Sequence, residues 1–192
     1  MNVAVAKTET GRAVNDMFAM ARARLPGSGT VTEARQKAFE AYERTGLPTR
    51  RIEDWKYTDL RVLMREVLPL AAAPDQAALA KAADVVKAAA VENAFRLVLV
   101  DGVFAPKLSD LAGLEKGIRV QSLHEALDAG IDLSADLKAA ADVMVSLNAA
   151  MATDGIVVSV DDGVALTKPV QIVHIATASS ASIFPRSRVQ VG

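Results

Sequence analysis

The residues best suited to recognition chemistry lie in one short, charged stretch of the chain. Arg50, Arg51, Trp55 and Tyr57 fall within eight positions, mixed with further acidic and basic side chains. Tryptophan, tyrosine and arginine supply much of the binding energy at protein interfaces. These four residues are therefore our candidates for a partner-docking loop. The alternative, which the sequence alone favours, is a structural loop held by a packed Trp55 and by internal ion pairs.

Other residues that could do chemistry have simpler interpretations. The Gly-Ser-Gly-Thr stretch at Gly27–Thr30 precedes a helix, but it follows a helix rather than a strand and no Gly-Lys-Thr comes after it, so we predict a linker and not a phosphate cradle. His124 and His174 are the only histidines, and neither has partners at metal-ligand spacing. Asp161 and Asp162 are adjacent and would point to opposite faces of a strand, so a turn is the better prediction.

The missing motifs and the composition argue against several classes of function. The sequence contains no Ser-His-Asp order, dinucleotide fingerprint or metal-ligand set, and no cysteine for a disulfide, a thiolate nucleophile or direct ligation of an iron–sulfur cluster. We predict a chain that is not an enzyme and binds no cofactor. A net charge of −1 and an aromatic content of 4 % argue against nucleic acid as a partner. With no apolar stretch near the ~20 residues that span a bilayer and no signal-peptide pattern at the start, we expect no membrane partner and a cytoplasmic location.

Helical periodicity dominates the first two-thirds of the chain. Thr30 and Glu33 resemble a capping box that opens a second helix, which we expect to end near Thr45. Further helices are predicted over Leu60–Val67 and Leu79–Ala90. The apolar face of the first helix is predicted to comprise Val14, Met17, Phe18, Ala21 and Leu25.

Strand patterns begin at Phe95. A strand is predicted over Phe95–Val100, and Asp101-Gly102 predicts a tight turn from which Val103–Ala105 returns. Ile118–Gln121 predicts a second strand. Ser122 and Glu125 form a further capping-box pattern for a short helix that Gly130 closes.

One more helix and an all-β region complete the pattern. The apolar spacing from Ala140 to Met151 predicts an amphipathic helix, and the chain is expected to be all-β from Asp154 onward. Arg186 and Arg188 alternate with Ser187 and Val189 on the last predicted strand. They could bind an anion, but a solvated face is the simpler interpretation.

Several stretches together resemble one protein family. The loop Gly46–Leu60, which reads GLPTRRIEDWKYTDL, resembles the N-terminal signature of the SufB/SufD family of iron–sulfur cluster assembly proteins, and of its SufD branch in particular. Three later stretches, Val98–Phe104, Leu147–Ile156 and Ile183–Arg186, are similar to the strand–turn–strand, the entry into the β domain and the first coils of that family. The resemblance runs in order from about Arg35 to Gly192.

The resemblance implies an α+β fold: an N-terminal helical region (1–153) with a small strand–turn–strand unit, leading at 154–192 into the first strands of a right-handed parallel β-helix. It implies a non-catalytic scaffold in the SUF machinery, working with SufB and the ATPase SufC through segments expected after Gly192. We therefore expect the natural chain to continue, and no functional residue of the family carries over onto this stretch. Two alternatives remain: a stand-alone interaction module that uses the Arg50–Tyr57 loop, and a carbohydrate-active β-helix enzyme.

Overall fold

The computed structural model describes residues 9–132 and 142–192 and confirms the α+β class. Most of the helices precede most of the strands along the chain, as the sequence predicts. The helices are α1 (Glu9–Ala21), α2 (Thr30–Thr45), α3 (Leu60–Leu63), α4 (Gln76–Ala88), α5 (Leu123–Asp128) and α6 (Val143–Met151). The strands are β1 (Phe95–Val100), β2 (Val103–Phe104), β3 (Ile118–Ser122), β4 (Ile156–Val160), β5 (Val170–Ile175) and β6 (Arg188–Val191).

The strands form two mixed sheets of three strands each. In the first sheet, with the order β2-β1-β5, the central strand β1 pairs antiparallel with β2 and parallel with β5. In the second sheet, with the order β3-β4-β6, β4 pairs antiparallel with β3 and parallel with β6. Each sheet therefore joins strands from before and after α6.

Helices α1, α2 and α6 enclose an apolar core of their own. The face predicted for α1 is confirmed, because Val14, Met17 and Phe18 are buried there. Phe18 stacks on Phe39 of α2 with ring centroids 3.9 Å apart, a geometry that aromatic pairs favour. Leu147 of α6 is fully buried in the same cluster. The amphipathic spacing of these helices is thus explained by burial against one another.

Strand β1 is buried on both of its faces. Val98 and Val100 pack with Ala82 and Val86 of α4, while Leu97 and Leu99 pack with apolar residues of β3 and β4. Helix α4, the first sheet and the second sheet therefore form successive layers around β1. Its nearly continuous apolar sequence is typical of a strand covered on both sides.

Two local predictions at helix ends are wrong. Thr30 does not cap α2 with its side chain: it is the first helical residue, and the backbone carbonyl of Gly29 accepts from the Glu33 N–H at 3.1 Å. Gly29 has φ +55°, which lets the chain enter α2 without a side-chain cap. Helix α3 ends at Leu63 rather than near Val67, because Met64 has ψ 48° and so leaves the helical conformation.

The hairpin and the short capped helix follow the sequence closely. Asp101 and Gly102 both have positive φ, as the tight two-residue turn between β1 and β2 requires. The Ser122 hydroxyl accepts a hydrogen bond from the Glu125 N–H at 3.3 Å at the start of α5, and Gly130 follows the end of that helix with φ +86°. Residue Ala140 of the helix predicted next lies outside the described residues, and α6 begins at Val143, directly after its N-cap Asp142.

Gly155, just before β4, sits where no side chain fits. A Cβ atom placed on it would lie 1.8 Å from the carbonyl oxygen of Arg186. At this point Asp154 forms a parallel bridge to Pro185, and the Arg186 N–H donates to the Asp154 carbonyl at 3.0 Å. Close approach of these two backbone segments therefore depends on glycine.

Candidate docking loop and buried polar network

The Trp55 loop, residues 46–60, is fixed at both ends and turns tightly in between. Leu47 and Pro48 are buried, and the Leu60 N–H donates to the Pro48 carbonyl at 3.3 Å. At the far end Asp59 caps α3 by accepting from the Arg61 N–H at 3.1 Å. A 3₁₀ turn over Glu53–Trp55 lies between these anchors. The Trp55 loop is thus held in a defined conformation by contacts at both of its ends.

The four candidate residues of this loop are placed differently. Trp55 is half-buried, whereas Arg50 and Arg51 are exposed and Tyr57 is 89 % exposed. The Lys56 Nζ atom lies 5.3 Å from the centre of the Tyr57 ring, within the range of a cation–π contact. Trp55 is thus partly shielded from solvent, while the other three candidate side chains extend into it.

Trp55 forms one side of a groove, which we call the Trp55 groove. The groove has a volume of about 710 Å³, and its other sides come from the first turns of α6 and from the segment Pro185–Val189. Met144, Val145 and Val189 supply apolar surface, and Arg188 supplies a positive charge. Asp142, the acidic residue of the lining, caps α6 by accepting from the Met144 N–H at 2.6 Å. The loop and the last strand thus contribute to one concave surface.

A buried arginine, which the sequence analysis missed, joins α2 to α6. Arg35 is only 4 % exposed, and its guanidinium donates to the carbonyls of Ala150 (3.0 Å), Pro26 (3.1 Å) and Ala149 (3.4 Å). The carbonyls in the last turn of a helix have no partner within that helix. Burial lowers the pKa of Arg35 to about 10, so the group remains charged at neutral pH. Arg35 therefore caps α6 from the side of another helix.

A buried aspartate, also missed, connects four segments in the sheet region. Asp154 is 5 % exposed, and its carboxylate accepts from the Phe104 N–H (2.9 Å), the Ser122 hydroxyl (2.8 Å) and the His124 N–H (2.9 Å). Three donors of this kind stabilise a buried carboxylate without an ion pair. Asp154 thereby ties β2, the end of β3 and the start of α5 to the entry of β4. The Asp-Gly pair at 154–155 is the one sequence feature that could have drawn attention to Asp154. The sequence does not show which distant groups donate hydrogen bonds to its carboxylate.

Asp101 is the second buried carboxylate, and it makes stability depend on pH. Burial raises its pKa, but hydrogen bonds from the Thr177 side chain and from the backbone N–H groups of Ala178 and Thr177 outweigh burial and hold the pKa below the ordinary 3.8. A lowered folded-state pKa adds stability that is complete above the unfolded pKa and is lost as the pH falls through the folded pKa.

We expect the urea midpoint of the parent to fall more steeply than that of Asp101→Asn between about pH 5 and pH 2. Asp110, whose pKa is lowered by its hydrogen bond to Arg96, contributes the same pH dependence in both proteins, so only the difference between them reports on Asp101. Urea midpoints that fall equally steeply in the parent and in Asp101→Asn would contradict the role given to Asp101.

A cavity of about 740 Å³ lies beside both buried carboxylates. Asp101 and Asp154 line it together with the segment Leu70–Ala73 and residues around the start of α5. Both carboxylates already accept the hydrogen bonds described above. The cavity therefore presents satisfied acceptors and a largely apolar lining.

The remaining candidates from the sequence have structural partners or lie in solvent. The Gly27 N–H donates to the Asp128 carboxylate at 2.7 Å, and Asp128 also lies 3.4 Å from the His124 imidazole. His174 is exposed on β5, and Asp161 pairs with Arg119 at 2.6 Å. Among residues 9–132 and 142–192, no group of histidine and acidic side chains could hold a metal ion, and no helix is long and apolar enough to cross a bilayer.

Together these features define an α+β domain with a helical layer, two mixed sheets and an exposed aromatic and basic loop. Residues 8–172 match the family model described as the SufBD protein N-terminal region, and the chain belongs to that family. It is also 33 % identical over 149 residues to the iron-sulfur cluster assembly protein SufD of Escherichia coli (strain K12). That match covers 73 % of this chain and 30 % of the E. coli protein. The resemblance seen in the sequence is thereby confirmed.

Proposed function

We propose that this chain is the N-terminal part of a non-catalytic scaffold component in cytoplasmic iron–sulfur cluster assembly, acting with SufB-like and SufC-like partners. The observation that carries the proposal is the 33 % identity to the E. coli SufD protein within a matching family. Family membership favours this function over a carbohydrate-active enzyme.

The strand order supports the further proposal that a right-handed parallel β-helix begins at Asp154, after a mainly helical domain of residues 1–153. The chain passes from β4 in the second sheet to β5 in the first and returns to β6, which pairs in parallel with β4. Successive coils of a β-solenoid stack in parallel in this way. Extended segments at Leu70 and Ser182 also meet in a parallel bridge.

In this proposal the helical part closes one end of the solenoid. Helix α4 covers one face of β1, and the cluster of α1, α2 and α6 lies next to the entry of β4. Solenoids need such caps, because their terminal coils would otherwise expose apolar core and unpaired strand edges. The helical part would cover the apolar core at that end of the solenoid and would hold the Trp55 loop at the protein surface.

Co-purification tests this function. We expect the full-length protein, co-expressed with the SufB-like and SufC-like proteins of its organism, to elute with both, whereas residues 1–192 alone retain little of the ATPase. The reason is that the proposal puts the partner contacts in later segments. The readout is the partner-to-bait ratio after affinity capture and gel filtration, with an unrelated tagged protein as control. Absence of both partners from the full-length sample would refute the scaffold function, and strong ATPase capture by residues 1–192 would refute the placement of the contacts.

A further inference from the structure

Exposed apolar side chains concentrate on one short segment. Ten large apolar side chains are exposed among the described residues, and four of them, Ile52, Tyr57, Val62 and Leu63, lie within twelve positions. We call these four residues the loop patch. Leu60 and Met64 of the same segment pack against the helical core, so the segment is held in place while the loop patch faces solvent. Exposed apolar surface concentrated in this way marks interaction sites.

The charges around the loop patch select the kind of partner. Glu53 pairs with Lys56 at 2.6 Å, and Asp59 lies 3.8 Å from Arg61, so these charges are largely compensated locally. Arg50 and Arg51 have no carboxylate within ion-pair distance in the described parts of the chain. The half-buried Arg188 of the Trp55 groove also forms no ion pair with a carboxylate of the described residues. The exposed arginines are therefore available to a partner's carboxylates, with Asp54 the one unpaired acid of the loop.

We propose that the Trp55 loop, with its loop patch and the adjoining Trp55 groove, is a docking surface for a protein partner that presents an acidic segment with apolar side chains. Arginine forks bind carboxylates in two-point contacts, and neighbouring apolar pockets provide the area that fixes the segment. Tyr57 adds a large, rigid and exposed ring to the same loop. This inference goes beyond the proposed function and does not depend on it, because any acidic partner segment would satisfy it.

Site-specific cross-linking in the full-length protein tests the surface. The photoreactive residue p-benzoylphenylalanine replaces Tyr57, and a matched variant carries it at Val85, an exposed apolar position on α4. After irradiation in the native cell, mass spectrometry identifies the joined peptides. We expect one protein adduct at position 57, formed on an Asp- and Glu-rich segment that contains apolar residues, and no such adduct at position 85.

Charge reversal then tests whether the arginines bind the cross-linked segment or whether that segment only lies near Tyr57. Arg50→Glu combined with Arg51→Glu should lower the adduct yield at position 57 by about tenfold or more, because like charges now oppose the acidic segment. Both side chains are exposed, so the thermal midpoint should stay that of the parent. Adducts equal to those at Val85, adducts that survive the double reversal, or adducts formed on lipid, nucleic acid or a basic segment would each overturn the proposal.

Discussion

Replacing Asp154 by alanine is expected to lower the free energy of unfolding by about 4 kcal/mol, because three partly buried donors lose one charged acceptor. The donors are the N–H groups of Phe104 and His124 and the hydroxyl of Ser122, which belong to three different segments. All three hydrogen bonds to Asp154 are at least partly shielded from solvent. The measurement is urea unfolding followed by circular dichroism.

Two further variants sharpen the Asp154 test. Asp154→Asn keeps one acceptor oxygen but turns an amide N–H₂ toward one of the donors, so we expect about half of the loss. Asp162→Ala removes an exposed carboxylate in the turn after β4 and should change stability by less than about 0.5 kcal/mol. An Asp154→Ala protein as stable as Asp162→Ala would show that the network contributes nothing.

Arg35→Ala is expected to cost about 3 to 4 kcal/mol, since it leaves a cavity and three carbonyls without their donor. Those carbonyls belong to Pro26, before α2, and to Ala149 and Ala150, in the last turn of α6. The change would therefore loosen the contact between two helices and not only one side chain. Thermal unfolding monitored at 222 nm would report the loss as a lower midpoint.

Variants of intermediate character distinguish packing from hydrogen bonding at Arg35. Arg35→Met restores most of the volume and removes the cost of burying a charge, so it should be more stable than Arg35→Ala. Arg35→Lys keeps the charge and three N–H donors but places them on a single nitrogen, whereas the guanidinium reaches the α6 carbonyls with Nη1 and the Pro26 carbonyl with Nη2. Lys37→Ala, at an exposed position of the same helix, is the control. A methionine variant more stable than the parent would mean that the hydrogen bonds do not compensate for desolvation.

Local features of the fold were readable because each depends on near neighbours in sequence. The face of α1 follows from apolar spacing, and the turn at Asp101-Gly102 follows from residues that accept positive φ. Ser122 caps α5 as its spacing predicts. The prediction failed at Thr30, where a glycine with positive φ supplied another way into the helix, and at Val67, because Met64 already leaves the helical conformation at the end of α3.

The candidate site was readable only in part. The loop composition singled out Arg50, Arg51, Trp55 and Tyr57, but it gave no sign that Trp55 faces a groove formed with the last strand. Whether the loop docks a partner stays a prediction, as does the division of the chain at residue 153. The buried polar residues Arg35 and Asp154 escaped notice because isolated charges in a sequence usually lie at the surface.

The sequence by itself determined the α+β class, most helix and strand positions and the family, since these rest on local periodicity and on a specific loop motif. Tertiary structure alone decided which strands pair and which charges are buried. Parallel pairing of β1 with β5 joins segments separated by more than seventy residues, and no local pattern encodes a partner so distant. A carboxylate such as Asp154 acquires its role only when donors from distant segments converge on it, because burial makes each unmatched polar group costly.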